Sequence, residues 1–224
     1  MAKNNAIDNK SSELTIDPGA SGNSFVQFDL NTIGEFRIGV DDNAAFTSID
    51  AFKISQGSAF GTNDTFIMTA AGERTIPLQP AFLAFLASDA DNVTGNGTIY
   101  TLGTDALTEV FDQGGDFVTS GTFIAPITGR YLLEVSTKTH EITAADDTLT
   151  QIITANRTYR SCTYNPTALA DVSAEIGFSF TVLADMDSGD FAIFTIMVDG
   201  EVSNLVDVSG SSTLTTKVAG FLAC

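Results

Sequence analysis

Apolar and polar residues alternate along most of this chain, and the alternation is that of strands. The clearest stretch is SGTFIAPITGRYLLEVSTK, from Ser120 to Lys138. Phe123 and Ile124 lead into Ala125-Pro126-Ile127-Thr128-Gly129, after which Tyr131, Leu133 and Val135 follow at period two. Period two sends successive side chains to opposite faces of a strand. Pro and Gly three residues apart mark the turn between two strands. Helical periodicity is nearly absent.

The texture of the alternation changes along the chain. After a polar start with a turn signal at Asp17-Pro18-Gly19, the phrases SFVQFDL, EFRIGV, AFKIS and TFIMT follow one another between Ser24 and Pro77. Each centres on an aromatic and ends in a turn cluster, so each predicts a short strand. Strands this few and this short bury too little to stand alone, and neither coiled-coil heptads nor a Gly-X-Y period is present. We therefore expect an N-terminal arm (1–22) and a short-strand β shaft or attachment region (23–79), its phenylalanines buried between identical chains. The alternative is a small sheet packed on the main domain.

From Pro80 the strands lengthen: PAFLAFLA, GTIYTL, TEVFD, GTFIAP, GRYLLEVSTK, TQIITANRTY, SAEIGFSFTVLADM, GDFAIFTIMVDG and STLTTKVAGFLA. Closely spaced strands separated by turn signals predict an all-β antiparallel sandwich or jelly roll over 80–224.

Composition narrows the function. The 224 residues include 17 Phe, 4 Tyr and no Trp, which makes Phe the main core filler. Charged residues are 17%, below the roughly 25% of an average domain. With 28 acidic against 10 basic residues the net charge is −18. Nucleic acid and anionic membrane surfaces both require basic partners, so neither is expected. The start of the sequence has no apolar stretch of the kind a secretory leader carries, and no membrane-spanning run is expected. The sequons at Asn63, Asn92, Asn96 and Asn156 then carry no weight, and Cys162 and Cys224 read as free thiols rather than a disulfide framework.

Catalytic signatures do not appear. The single histidine, His140, reads as a solvated loop residue; no paired-His zinc motif, nucleophile elbow, P-loop or dinucleotide fingerprint is present. No cofactor is expected. Asp185, Asp187 and Asp190 place oxygens around Gly189 in a way calcium can use, but the later acidic ligand of an EF-hand loop is missing, and carboxylates beside Gly serve turns. The acidic stretch at 88–92 carries less still. One segment stands apart: NRTYRSCTYNP, Asn156 to Pro166, brings Arg157, Tyr159, Arg160 and Tyr164 together with no acidic residue between them. Arg and Tyr carry contact energy at interfaces through area, stacking and multiple donors. These four are candidates for receptor binding; the alternative is that the arginines pair with carboxylates across an oligomer while the tyrosines cap the core.

Four phrases resemble, in order, the globular head of complement subcomponent q, the trimeric jelly roll shared with tumour necrosis factor. Pro80-Ala81-Phe82-Leu83-Ala84-Phe85 is similar to its opening strand, and GTFIAPITGRYLLEV to its Gly-x-Phe-x-Ala-Pro-x-x-Gly-x-Tyr-x-Phe signature. DSGDFAIFTIM resembles its Gly-Asp hairpin and STLTTKVAGFL its closing strand, with Leu214 where that strand usually has an aromatic. The match spans Pro80 to Leu222, with no collagen stalk before it. It implies a ten-strand jelly-roll protomer and a tight homotrimer that binds through exposed loops and side faces. The phrase LTIDPGASGNSFVQFDLNTIGEFRIGV resembles those of phage and prophage structural proteins that carry such a head. The resemblances together imply a non-enzymatic virion protein assembled in the host cytoplasm, a tail fibre or knob. Its head would bind a host-surface glycan or protein, and residues 1–79 would dock on other virion proteins. The alternatives are a capsid-decorating cement trimer and a lectin-like soluble binding module.

Overall fold

A computed structural model describes residues 23–29, 35–41, 51–57, 59–61 and 63–224. The expected arm at 1–22 and the turn signal at Asp17-Pro18-Gly19 lie outside the described residues. The chain divides into two compact units, Met1–Leu78 and Gln79–Cys224.

The described strands of the first unit are β1 (Ser24–Asp29), β2 (Glu35–Asp41), β3 (Ala51–Gln56), β4 (Asp64–Thr69) and β5 (Arg74–Thr75). They form one antiparallel sheet in sequence order. Register gathers its apolar side chains on one face: Phe28 opposite Phe36, the row Val26–Ile38–Ile54–Phe66, and the row Val40–Phe52–Met68. None of these side chains is buried, and Phe28 is 56% exposed. The other face is polar in its middle. There Lys53 lies 2.7 Å from Asp41 and 3.1 Å from Asp64, all three largely buried. Gly39 stands opposite Phe25, where a Cβ would run into the β1 backbone. Phe25 in turn carries the Arg37 guanidinium 4.4 Å above its ring.

The second unit contains β6 (Ala81–Phe85), β7 (Ala90–Thr94), β8 (Ile99–Thr101), β9 (Thr108–Gln113), β10 (Phe117–Val118), β11 (Thr122–Ile124) and β12 (Gly129–His140). After these come β13 (Asp147–Thr154), β14 (Thr158–Arg160), a short helix α1 (Pro166–Leu169), β15 (Ile176–Met186), β16 (Phe191–Asp199), β17 (Val206–Val208) and β18 (Lys217–Leu222). Ten of the strands make two five-stranded antiparallel sheets, ordered β9-β6-β18-β12-β15 and β10-β11-β16-β13-β14. The chain crosses repeatedly between them, which is the jelly-roll path. The strand count exceeds the ten expected, because β17, itself paired with β7, joins the end of β12 on the β18 side of the first sheet and β8 pairs with β16 in the second. The phrase TQIITANRTY, expected as one strand, is a hairpin of β13 and β14.

Aromatic packing joins the sheets. The Phe82 ring stacks on Phe117 at 4.6 Å and on Phe123 at 4.9 Å, with Phe194 6.3 Å away and Tyr131 5.3 Å from Phe123. Leu133, Val135, Ile152 and Met186 complete this core. Gly220, in register with Phe82, has no space for a side chain, since a Cβ would lie 2.7 Å from both Phe82 and Leu133. Leu214 is not part of the closing strand. It sits in a turn at φ 58°, and fully buried Val218 takes the inward place two residues before Gly220.

The outer face of the first sheet carries its own apolar patch. Register aligns Leu183, Leu132, Phe221 and Ala81 across four strands, with Leu83 opposite Phe111 in the adjacent row. Leu183, Phe111 and Phe221 are 52%, 48% and 45% exposed.

Candidate functional site

The receptor-binding candidates fall on the edge of the second sheet. A tight turn in which the Thr154 N–H donates to the Arg157 carbonyl folds β13 back into β14, so β14 caps the sheet. Strand alternation then separates the side chains. Tyr159 points inward and packs against the main core, while Arg157 in the turn and Arg160 on the strand are exposed. Among the described residues neither guanidinium has an ion-pair partner.

Tyr164 belongs to a different piece of structure. It bridges to Thr148 of β13 and stacks its ring on Phe178 of β15 at a 3.6 Å centroid separation. Burial pushes its phenol well above the usual value. The Asn-Pro after it caps α1: the Asn165 side chain accepts from the Ala168 N–H, and Pro166 occupies the first turn. The four candidates thus divide into two solvent-facing cations and two tyrosines that anchor the segment carrying them.

The acidic hairpin is built as a turn. The Asp190 carboxylate accepts from its own loop, the Asp187 N–H at 2.9 Å, and from Asn156 Nδ2 at 2.7 Å. The Ser188 N–H and hydroxyl meet Thr128 Oγ1 and the Pro126 carbonyl, tying this hairpin to the Pro-Gly corner. Asp185 is spent elsewhere, on β15 opposite Arg130. The hydrogen bonds of Asp187 and Asp190 are those of turn residues.

His140 is not a loop residue. It closes β12, with its side chain 22% exposed, and Nε2 lies 3.5 Å from Asp89 and 3.6 Å from Asp207. Nothing in the sequence signalled this constellation, because its members lie far apart along the chain. Glu201, likewise invisible to motif reading, accepts from the N–H groups of Thr143, Ala144 and Ala145 and from the Thr143 hydroxyl. Burial opposes its ionisation, but these donors prevail and hold its carboxyl below the usual range. Cys162 and Cys224 are both exposed and unpaired.

No protein-family model matches the sequence, and no curated protein matches it either. Solved structures do. The chain is similar to the globular domain of zebrafish complement 1qA protein at 15% identity, over 65% of this chain and 98% of that one, with a TM-score of 0.41. Murine APRIL is similar at 12% identity, over 64% and 98% of the two chains, with a TM-score of 0.42. The PRD1 vertex protein P5 is similar at 10% identity, over 74% and 86%, with a TM-score of 0.48. Among the described residues no helix is long and apolar enough to cross a membrane.

Proposed function

We propose that the protein is a non-enzymatic structural component of a bacteriophage virion, a homotrimeric fibre or knob. In this account residues 1–79 attach it to other virion proteins and the jelly-roll unit binds a host-surface glycan or protein. The observation that carries the reading is the set of exposed apolar side chains on a sheet face of each unit: Phe28, Phe36 and Val26 in the first, and Leu183, Phe221 and Phe111 in the second. Exposed apolar patches of this kind mark contact surfaces, and further copies of the same chain are partners that occur with it in fixed proportion. The motif resemblance to trimeric heads supports three as the number of copies.

Receptor contact falls to Arg157 and Arg160. On a chain of net charge −18 they are exposed cations without carboxylate partners among the described residues, at a sheet edge where an anionic or hydroxyl-rich ligand finds donors. Changing both to Ala should leave melting within about 1 °C, since exposed substitutions usually cost under ~0.5 kcal/mol. Binding to host cells should fall at least about tenfold, or ~1.4 kcal/mol. Unchanged binding would move recognition to the exposed bend at 202–205, the part of the 201–212 stretch that precedes buried β17. Finding the protein on the capsid shell by electron microscopy would replace the host-binding role with capsid decoration.

A further inference from the structure

Three neighbouring strands meet at His140. Register pairs it directly with Asp207 of β17, and β17 pairs with β7, which begins one residue after Asp89. Each of the two aspartates has one oxygen fixed by a backbone N–H and the other turned to the imidazole. The Gly210 N–H donates to Asp89 Oδ1 at 2.8 Å, and the Asn92 N–H to Asp207 Oδ1 at 2.5 Å. The free oxygens stand 3.5 and 3.6 Å from His140 Nε2.

Glu141 adds a further carboxylate. Its backbone is left-handed, at φ 64°, a conformation that non-glycine residues seldom adopt. One ligand atom from each of His140, Glu141 and Asp207 lies within 4.8 Å of the other two. The loop after Glu141 is held by the Glu201 carboxylate and by Ile142, which packs with Ala145, Val198 and Val206.

We propose that His140, Glu141 and Asp207, with Asp89 beside them, form a binding site for a divalent transition metal, zinc in the first place. The separations from Nε2 are longer than the ~2.7–3.2 Å of a direct hydrogen bond. They are close to the roughly 3.3–3.4 Å edge of a tetrahedron whose ligands lie about 2.0–2.1 Å from the metal. One imidazole with carboxylates suits zinc and its neighbours, whereas calcium takes about six to eight oxygens. Outer hydrogen bonds that aim the ligands, as the Gly210 and Asn92 N–H groups do here, are a regular feature of such sites.

The sequence makes the test direct, because His140 is the only histidine. The full chain carrying Cys162→Ser and Cys224→Ser, to remove thiol binding, is stripped of metal and titrated with zinc chloride. Calorimetry should show saturation at one ion per chain, and the His140 ring resonances should move in step with it. His140→Gln and Asp207→Asn should each weaken binding at least about tenfold, while Asp185→Asn/Asp187→Asn/Asp190→Asn should leave it unchanged. The His140 resonances of the parent chain report on the site independently of whether any variant folds. No saturable binding, or saturation that leaves the His140 resonances in place, would reduce the cluster to an ordinary ion pair and overturn the proposal.

Discussion

The hydroxyl of Tyr131 donates a 2.7 Å hydrogen bond to the carbonyl of Ile127, four residues earlier in the chain. This bond explains the grammar of the corner. Pro126 and Gly129 turn the chain between the two sheets, and the first inward side chain after the turn reaches back to pin it. Gly129 allows the approach, since a Cβ there would meet Leu222 and the Cys224 carbonyl at 2.7 and 2.8 Å. Tyr131→Phe keeps the buried ring and loses the bond. It should cost about 1 kcal/mol, lowering the melting temperature of the jelly-roll unit by roughly 2–6 °C by calorimetry.

Glu201 should make the same unit sensitive to acid. Its folded-state pKa lies below the ordinary 4.5, so its contribution is complete above 4.5 and fades as pH falls through the lowered value. Glu201→Gln presents an amide to backbone donors that need an acceptor. The variant should be less stable at pH 7 by about 1.5–3 kcal/mol. Urea titrations between pH 7 and 3 should show a shallower loss of stability in the variant than in the parent. Parallel pH profiles would exclude this role.

The first-unit triad predicts the opposite dependence. Burial lowers the Lys53 pKa, but Asp41 and Asp64 outweigh it and leave it above 10.5. The stability it supplies is therefore present below 10.5 and is lost as pH rises through the raised value. Lys53→Met should leave two largely buried carboxylates facing each other, a loss of about 3–5 kcal/mol at neutral pH. Hydrogen exchange at residues 51–56 and 64–69 should accelerate in the variant.

Much of this was legible in the chain. Strand alternation and turn residues predicted an antiparallel sandwich, and GTFIAPITGRYLLEV carried its own corner, because strand, turn and tyrosine are adjacent in sequence. What lay hidden was long-range register. The extra strands β7, β8 and β17 are only three to five residues long, and β17 is fully buried, so it shows no alternation. Leu214 looked like a strand residue because the sequence does not reveal a left-handed turn at a leucine. Tyr159 and Arg160 look alike as interface residues until alternation sends one inward and the other out. The pairing of His140 with Asp207 exists only through the β12–β17 ladder.

Leu183→Asp separates an open face from a covered one. Leu183 is 52% exposed in the single chain, so an isolated protomer should tolerate the change at under ~0.5 kcal/mol. A trimer that buries Leu183 should dissociate or melt well below its parent. Size-exclusion chromatography with light scattering distinguishes the outcomes, and an unchanged assembly would place this face outside the interface.

The central claim is that three chains cover surfaces one chain leaves open, and sedimentation equilibrium of the unmodified protein at micromolar concentration tests it most directly. The account predicts a single species of three times the 23.6 kDa chain mass, undiminished on tenfold dilution. A species of 23.6 kDa across that range would contradict it.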